Sequence, residues 1–121
     1  MPDTPIATKL QLKPGRTLCL VDAPEGMDAI VGDTVRADVA TADIVVLFAP
    51  DRAAFDARLP QVSTGVKASA ILWLAYPKLT SKLAGDLSRN LIHEISPAYG
   101  RDTVSQIAID DDWSAMRLKA I

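Results

Sequence analysis

The stretch Ala70-Ile71-Leu72-Trp73-Leu74-Ala75-Tyr76 carries no charge and no strongly polar side chain, and it stops at Pro77-Lys78. A strand with one face in water alternates apolar and polar residues. A run without alternation needs cover on both faces, as in a parallel sheet flanked by helices. The pattern predicts a fully buried parallel strand over residues 69–76 that delivers Tyr76 and Lys78 to the rim of a sheet. Thr17-Leu18-Cys19-Leu20-Val21 and Asp43-Ile44-Val45-Val46-Leu47-Phe48 repeat the pattern, and each ends at a polar turn.

Between these runs the helix signals are readable. Asp51 is a good N-cap for a helix carrying Phe55 and Leu59 on one face. Pro60 should break or restart that helix, with Val62 and Val66 carrying it to about Lys67. Met27 to Val31 reads as a short helix, and Thr34 to Asp38 as a short edge strand. Leu79, Leu83, Leu87, Leu91 and Ile95 recur at spacing four, which predicts the longest helix over 79–95, capped by Thr80 or Ser81 and closed by Pro97. Thr103 to Ile109 and Trp113 to Leu118 are strands joined by Asp110-Asp111-Asp112, a connection so short that they must pair antiparallel. The element order means an α/β fold in three layers, with a mostly parallel sheet that ends in an antiparallel hairpin. Residues 1–121 suit one domain, opening with a loose segment over 1–12.

Composition narrows the function classes. The net charge of −2 argues against nucleic acid as the main partner, which would want a basic face. No apolar run reaches the length of a membrane span, and the N-terminus has no signal-peptide pattern, so the expected location is cytoplasmic. The single cysteine, Cys19, cannot form an internal disulfide and reads as a small hydrophobe within a strand. No second His or Cys stands at ligand spacing from His93, so no metal is expected. His93 reads as an exposed helical residue beside Glu94. There is no G-x-G-x-x-G, P-loop or G-x-S-x-G pattern, and no catalytic group is assigned.

In open α/β sheets ligands bind beyond the carboxyl ends of the strands. Three such ends offer Asp22 and Glu25, then Asp51 and Arg52, then Tyr76, Lys78, Thr80 and Ser81. A shared cleft there is the expected ligand site. Lys78 and Lys82, with the Thr80 and Ser81 hydroxyls at a helix start, suit a small anion; the alternative is two solvated lysines and a simple cap. Asp22 and Glu25 fit turn capping, an acid/base pair or ribose binding. The Tyr76-Pro77 junction is extended or cis.

Lys13-Pro14-Gly15, Ala23-Pro24-Glu25-Gly26-Met27, Leu72-Trp73-Leu74-Ala75-Tyr76-Pro77-Lys78 and Trp113-Ser114-Ala115-Met116-Arg117 resemble a bacterial family, domain of unknown function 3052. That resemblance implies a small Rossmann-like domain. More loosely, the chain is similar to a shortened class I methyltransferase, whose sheet also ends in an antiparallel hairpin. Where that family has a glycine-rich loop for S-adenosylmethionine, this chain has Asp22-Ala23-Pro24-Glu25-Gly26, and no cofactor is expected. The expected function is a non-catalytic binding or interaction module. It would be a homodimer through an uncovered edge strand. The alternative is an enzyme, or a degenerate methyltransferase-like protein, that takes a small anionic or nucleotide-like ligand at the strand ends.

Overall fold

The structure is a computed structural model that describes residues 16–23, 36–67, 69–79, 81–82, 84–109 and 112–120. Its elements are β1 (Leu18–Val21), β2 (Ile44–Phe48), α1 (Arg52–Gly65), β3 (Ile71–Pro77), α2 (Arg89–Ile95) with a 3₁₀ turn (Ser96–Tyr99), β4 (Arg101–Ala108) and β5 (Trp113–Ala120). The five strands form one sheet in the order β1-β2-β3-β5-β4.

The β1–β2 and β2–β3 ladders are parallel, whereas β3–β5 and β5–β4 are antiparallel. The sheet is therefore mixed rather than mostly parallel. β5 returns between β3 and β4, so β4 still points the same way as β1, β2 and β3. The carboxyl ends of those four strands share one edge of the sheet, as expected for the three apolar runs.

Both sheet faces are buried along the central strands. One face combines Val45, Leu47, Leu72, Leu74, Tyr76, Met116 and Leu118 with Phe55, Leu59 and Val62 of α1 and Ile92 of α2. Both described helices thus lie on this face. The other gathers Leu18, Ile44, Val46, Phe48, Trp73, Trp113 and Ala115, with the Phe48 and Trp113 rings edge-to-face at 5.3 Å. Each fully buried large side chain contributes roughly 1.5–3 kcal/mol. That burial explains why these strands show no polar alternation.

Asp51 caps α1, its Oδ1 accepting from the Ala54 amide at 2.8 Å. The helix runs through Pro60 without a break and ends at Gly65. Asp43 ties the start of β2 to its surroundings. Its carboxylate accepts from the Thr17 amide at 2.9 Å and from Lys67 Nζ at 2.5 Å.

The expected long helix over 79–95 is not formed. Among the described residues of 79–88 none is helical, and α2 starts at Arg89 with Ser88 as its cap, Oγ accepting from the Leu91 amide at 3.2 Å. Leu79 is 66% exposed, so it belongs to no core stripe, while Leu87 and Ile92 are buried. Tertiary contacts override the leucine spacing. Asp86 Oδ1 accepts from the Arg52 amide at 2.7 Å, at the start of α1. Gly85 passes so close to the Pro50 carbonyl that an added Cβ would lie 2.8 Å from its oxygen. Lys78 and Lys82 therefore do not stand at a helix N-terminus.

The predicted helix Met27–Val31 and the loose segment 1–12 lie outside the described residues. Of the predicted strand Thr34–Asp38, the described part makes one isolated parallel bridge, Arg36 to Leu18. The described residues contain no cis peptide bond, so Tyr76-Pro77 is trans. No helix among them is long and apolar enough to cross a membrane.

Candidate functional site

Tyr76 and Lys78 meet at the carboxyl end of β3. They line a groove of about 280 Å³ together with Leu79, Arg89, Gln106 and Ser114. Gln106 Nε2 donates to the Tyr76 hydroxyl at 2.9 Å. Burial pushes the Tyr76 phenol above its ordinary range, and the nearby Arg89 charge opposes that rise. Lys78 is held by its backbone, its amide donating to the Asp112 carbonyl at 2.8 Å.

A second cavity of about 400 Å³, also bordered by Arg89 and Gln106, lies between α2 and β4, with Asn90, His93, Thr103 and Ser105 among its walls. Its geometry depends on a bulge. Thr103 pairs with Leu118 but Ser105 pairs with Arg117, so Val104 has no partner. The extra residue lets Thr103 and Gln106, three apart, share the sheet face that carries Leu118 and Met116. His93 Nδ1 is 2.5 Å from Thr103 Oγ1, closing that end.

The other expected site residues are engaged elsewhere. Asp22, with φ of 57°, is ion-paired to Arg58 Nε at 2.8 Å. Asp51 caps α1. The Arg52 guanidinium pairs with Asp56 one turn along. Ser81 Oγ donates to Asp112 Oδ1 at 2.8 Å. Glu25 and Thr80 lie outside the described residues. Among the described residues no three of His, Cys, Asp or Glu gather to hold a metal. Burial first, and the Asp38 charge second, push the Cys19 thiol up, away from the reactive thiolate.

Sequence reasoning missed Arg89, Gln106 and Ser114. Gln106 carried a faint signal, an amide in the middle of an expected strand. Arg89 was hidden because the expected helix ran straight through it.

Among the described residues no carboxylate lines either cavity, although the chain holds 15 Asp and Glu residues. Lys78 and Arg89 have no ion pair among the described residues. What the arrangement can do chemically is neutralise a negative group while the Tyr76, Gln106 and Ser114 side chains orient it.

The fold is similar to those of solved structures. LepI in complex with SAM superposes over 96% of this chain with a TM-score of 0.55 at 13% identity. The mitomycin 7-O-methyltransferase MmcR covers 96% with a TM-score of 0.55 at 10% identity. A DhpI–SAH complex covers 88% with a TM-score of 0.53 at 14% identity. The fold is methyltransferase-like. The chain spans only 39%, 45% and 66% of those three proteins. No family model matches it, and neither does any curated protein. Its tie to domain of unknown function 3052 stays a resemblance of motifs.

Proposed function

We propose that the chain is a non-catalytic binding module that takes a small anionic ligand at the carboxyl end of β3. The observation that carries this is the convergence of Lys78 and Arg89 on one groove with no carboxylate among the described residues of its walls. The groove and the adjoining cavity, about 280 and 400 Å³, suit a metabolite-sized ligand. Its charged group sits between the two cations, and its polar body extends along Gln106 and Thr103. Among the described residues nothing lining the cavities is a carboxylate base, and His93 is occupied by Thr103. Those two facts favour binding over catalysis.

The experiment is a thermal-shift screen of nucleotides, phosphorylated metabolites and dicarboxylates, followed by calorimetry on Lys78→Ala and Arg89→Ala. A ligand at a hundred times its dissociation constant adds about 2.7 kcal/mol to stability. A hit should weaken about tenfold or more in each variant, as expected when a charge-assisted hydrogen bond is lost. A flat screen, or hits indifferent to both variants, overturns the proposal.

A second reading is S-adenosylmethionine binding, favoured by neighbours named as complexes with SAM and SAH. The described β1 exit does not fit a ribose contact, because Asp22 is held by Arg58. Binding of S-adenosylmethionine that persists in the Lys78 and Arg89 variants would favour this second reading.

A further inference from the structure

The groove at Lys78 and the larger cavity beside α2 share two wall residues, Arg89 and Gln106. Strand register puts the polar side chains of β3, β4 and β5 that border them on one face of the sheet. Tyr76 packs in the helix-side core, Ser114 stands opposite Tyr76, Gln106 opposite Met116 and Thr103 opposite Leu118. Ser105 pairs with Arg117, which lies opposite Trp73, so its side chain belongs to the other face.

Tyr76 is the decisive member. It is 3% exposed and still forms part of the groove wall. Gln106 Nε2 donates to its hydroxyl oxygen at 2.9 Å. A phenol is a donor as well as an acceptor, and this O–H meets no acceptor among the described residues. Reversing the Gln106 amide would let the phenol donate instead, and would leave the amide N–H groups over. In either orientation the pair keeps a donor for the groove. A buried donor left unmade is destabilising, and an acceptor atom arriving in the groove relieves it. Because burial raises the phenol's pKa, the O–H is intact at neutral pH.

Lys78 and Arg89 add two charges to that donor. Together they match a phosphate monoester, which carries a charge of about −1.5 to −2 at pH 7 and three acceptor oxygens. A lone carboxylate would answer two cations with one charge. Past Arg89 the walls change character. Asn90, Thr103 and Gln106 border the larger cavity, and amides and hydroxyls both donate and accept, as sugar hydroxyls do. The Thr103 hydroxyl, met by His93 Nδ1, keeps acceptor capacity. Among the described residues no Phe, Tyr or Trp borders this cavity, so a nucleobase has no such ring to stack on.

Resting on the anion-binding reading of the groove, we infer that the ligand is a phosphorylated sugar or polyol. Its phosphate lies among Lys78, Arg89 and the Tyr76–Gln106 pair, and its hydroxyls meet Asn90 and Thr103.

The test is calorimetric titration of glucose 6-phosphate, glycerol 3-phosphate, glucose, AMP and n-hexyl phosphate into the wild type and into Lys78→Ala, Arg89→Ala, Tyr76→Phe and Asn90→Ala. The tighter of the two hydroxyl-bearing phosphates should bind the wild type at least tenfold better than glucose, AMP or n-hexyl phosphate. It should weaken about tenfold in the first three variants and about threefold in Asn90→Ala, an exposed position whose change spares the core. AMP or n-hexyl phosphate binding as tightly, with the same dependence on Lys78 and Arg89, would leave the anion site standing and overturn the sugar or polyol. Affinity unchanged in both Tyr76→Phe and Asn90→Ala overturns the inference as well. Failure of every phosphorylated probe to bind, or binding indifferent to Lys78→Ala and Arg89→Ala, overturns the anion-binding reading and this inference together.

Discussion

Gly85→Ala tests why the leucine pattern fails to make a helix. An alanine Cβ would sit 2.8 Å from the Pro50 carbonyl oxygen. Ordinary carbon–oxygen contacts begin at about 3.3 Å, so a gap of roughly 0.5 Å must open. The obstacle is backbone at the exit of β2, adjacent to the Asp51 cap and the Arg52 amide that Asp86 holds. It cannot swing aside as a side-chain tip would. Overpacking of this kind costs about 1–3 kcal/mol. Stiffening of the unfolded chain returns about 0.4–1 kcal/mol. The expected net loss is about 1–2 kcal/mol. With a urea slope of about 1–3 kcal/mol per molar, the midpoint should fall by roughly 0.5–1 M. Gly65→Ala is the matched control: its Cβ would meet only Val39 Cγ1, at 3.4 Å, near the end of α1. It should be neutral or raise stability by a few tenths of a kcal/mol. If Gly85→Ala equals or exceeds the wild type in urea, or gains helix by circular dichroism, the close approach is not what excludes the helix.

Ser88→Ala should cost about 1 kcal/mol by removing the cap of α2, read from urea unfolding. Asp43 is held below its ordinary pKa of 3.8, chiefly by the Lys67 hydrogen bond and next by the Thr17 amide. Its stabilisation is therefore present above about pH 4 and lost as pH falls below it, and Asp43→Asn should flatten that acid limb of a stability–pH curve. Tyr76, whose phenol is raised by burial, gives the opposite sign: its contribution is present below about pH 10 and lost as pH rises beyond. Tyr76→Phe should remove that alkaline limb and lower stability at pH 7 by about 1 kcal/mol through loss of the Gln106 bond.

The parts of the fold legible in the sequence are those where burial leaves a mark in composition. Leu18–Val21, Ile44–Phe48 and Ile71–Pro77 are covered on both faces, so no polar residue interrupts them until the sheet edge. Asp51 announces α1 because capping is a local bond. The helix over 79–95 misleads for the converse reason. Leucines at spacing four satisfy a local rule, whereas Gly85 against Pro50 and Asp86 on Arg52 are contacts made across the chain. Of the expected site, Tyr76 and Lys78 are placed together because both follow from the end of β3. Arg89 and Gln106 join them only through the packing of α2 and β4, which no spacing records.

The mixed sheet and the two cavity systems have one origin. Because β5 returns between β3 and β4, Ser114 pairs with Tyr76 on one side and Ala108 on the other. That insertion moves β4 one strand farther out, to the edge of the sheet, while α2 offers only seven residues to cover it. The apolar face consequently ends at Met116 and Leu118, and beyond them polar Thr103, which meets His93 of α2, and Gln106 border an open cavity. At the other edge of the sheet the same arrangement brings the start of β4 beside the end of β5, where Asp102 stands opposite Lys119 and Arg101 opposite Ala120. Strand order, more than any single side chain, therefore sets which residues of β3, β4 and β5 meet around the cavity beside α2.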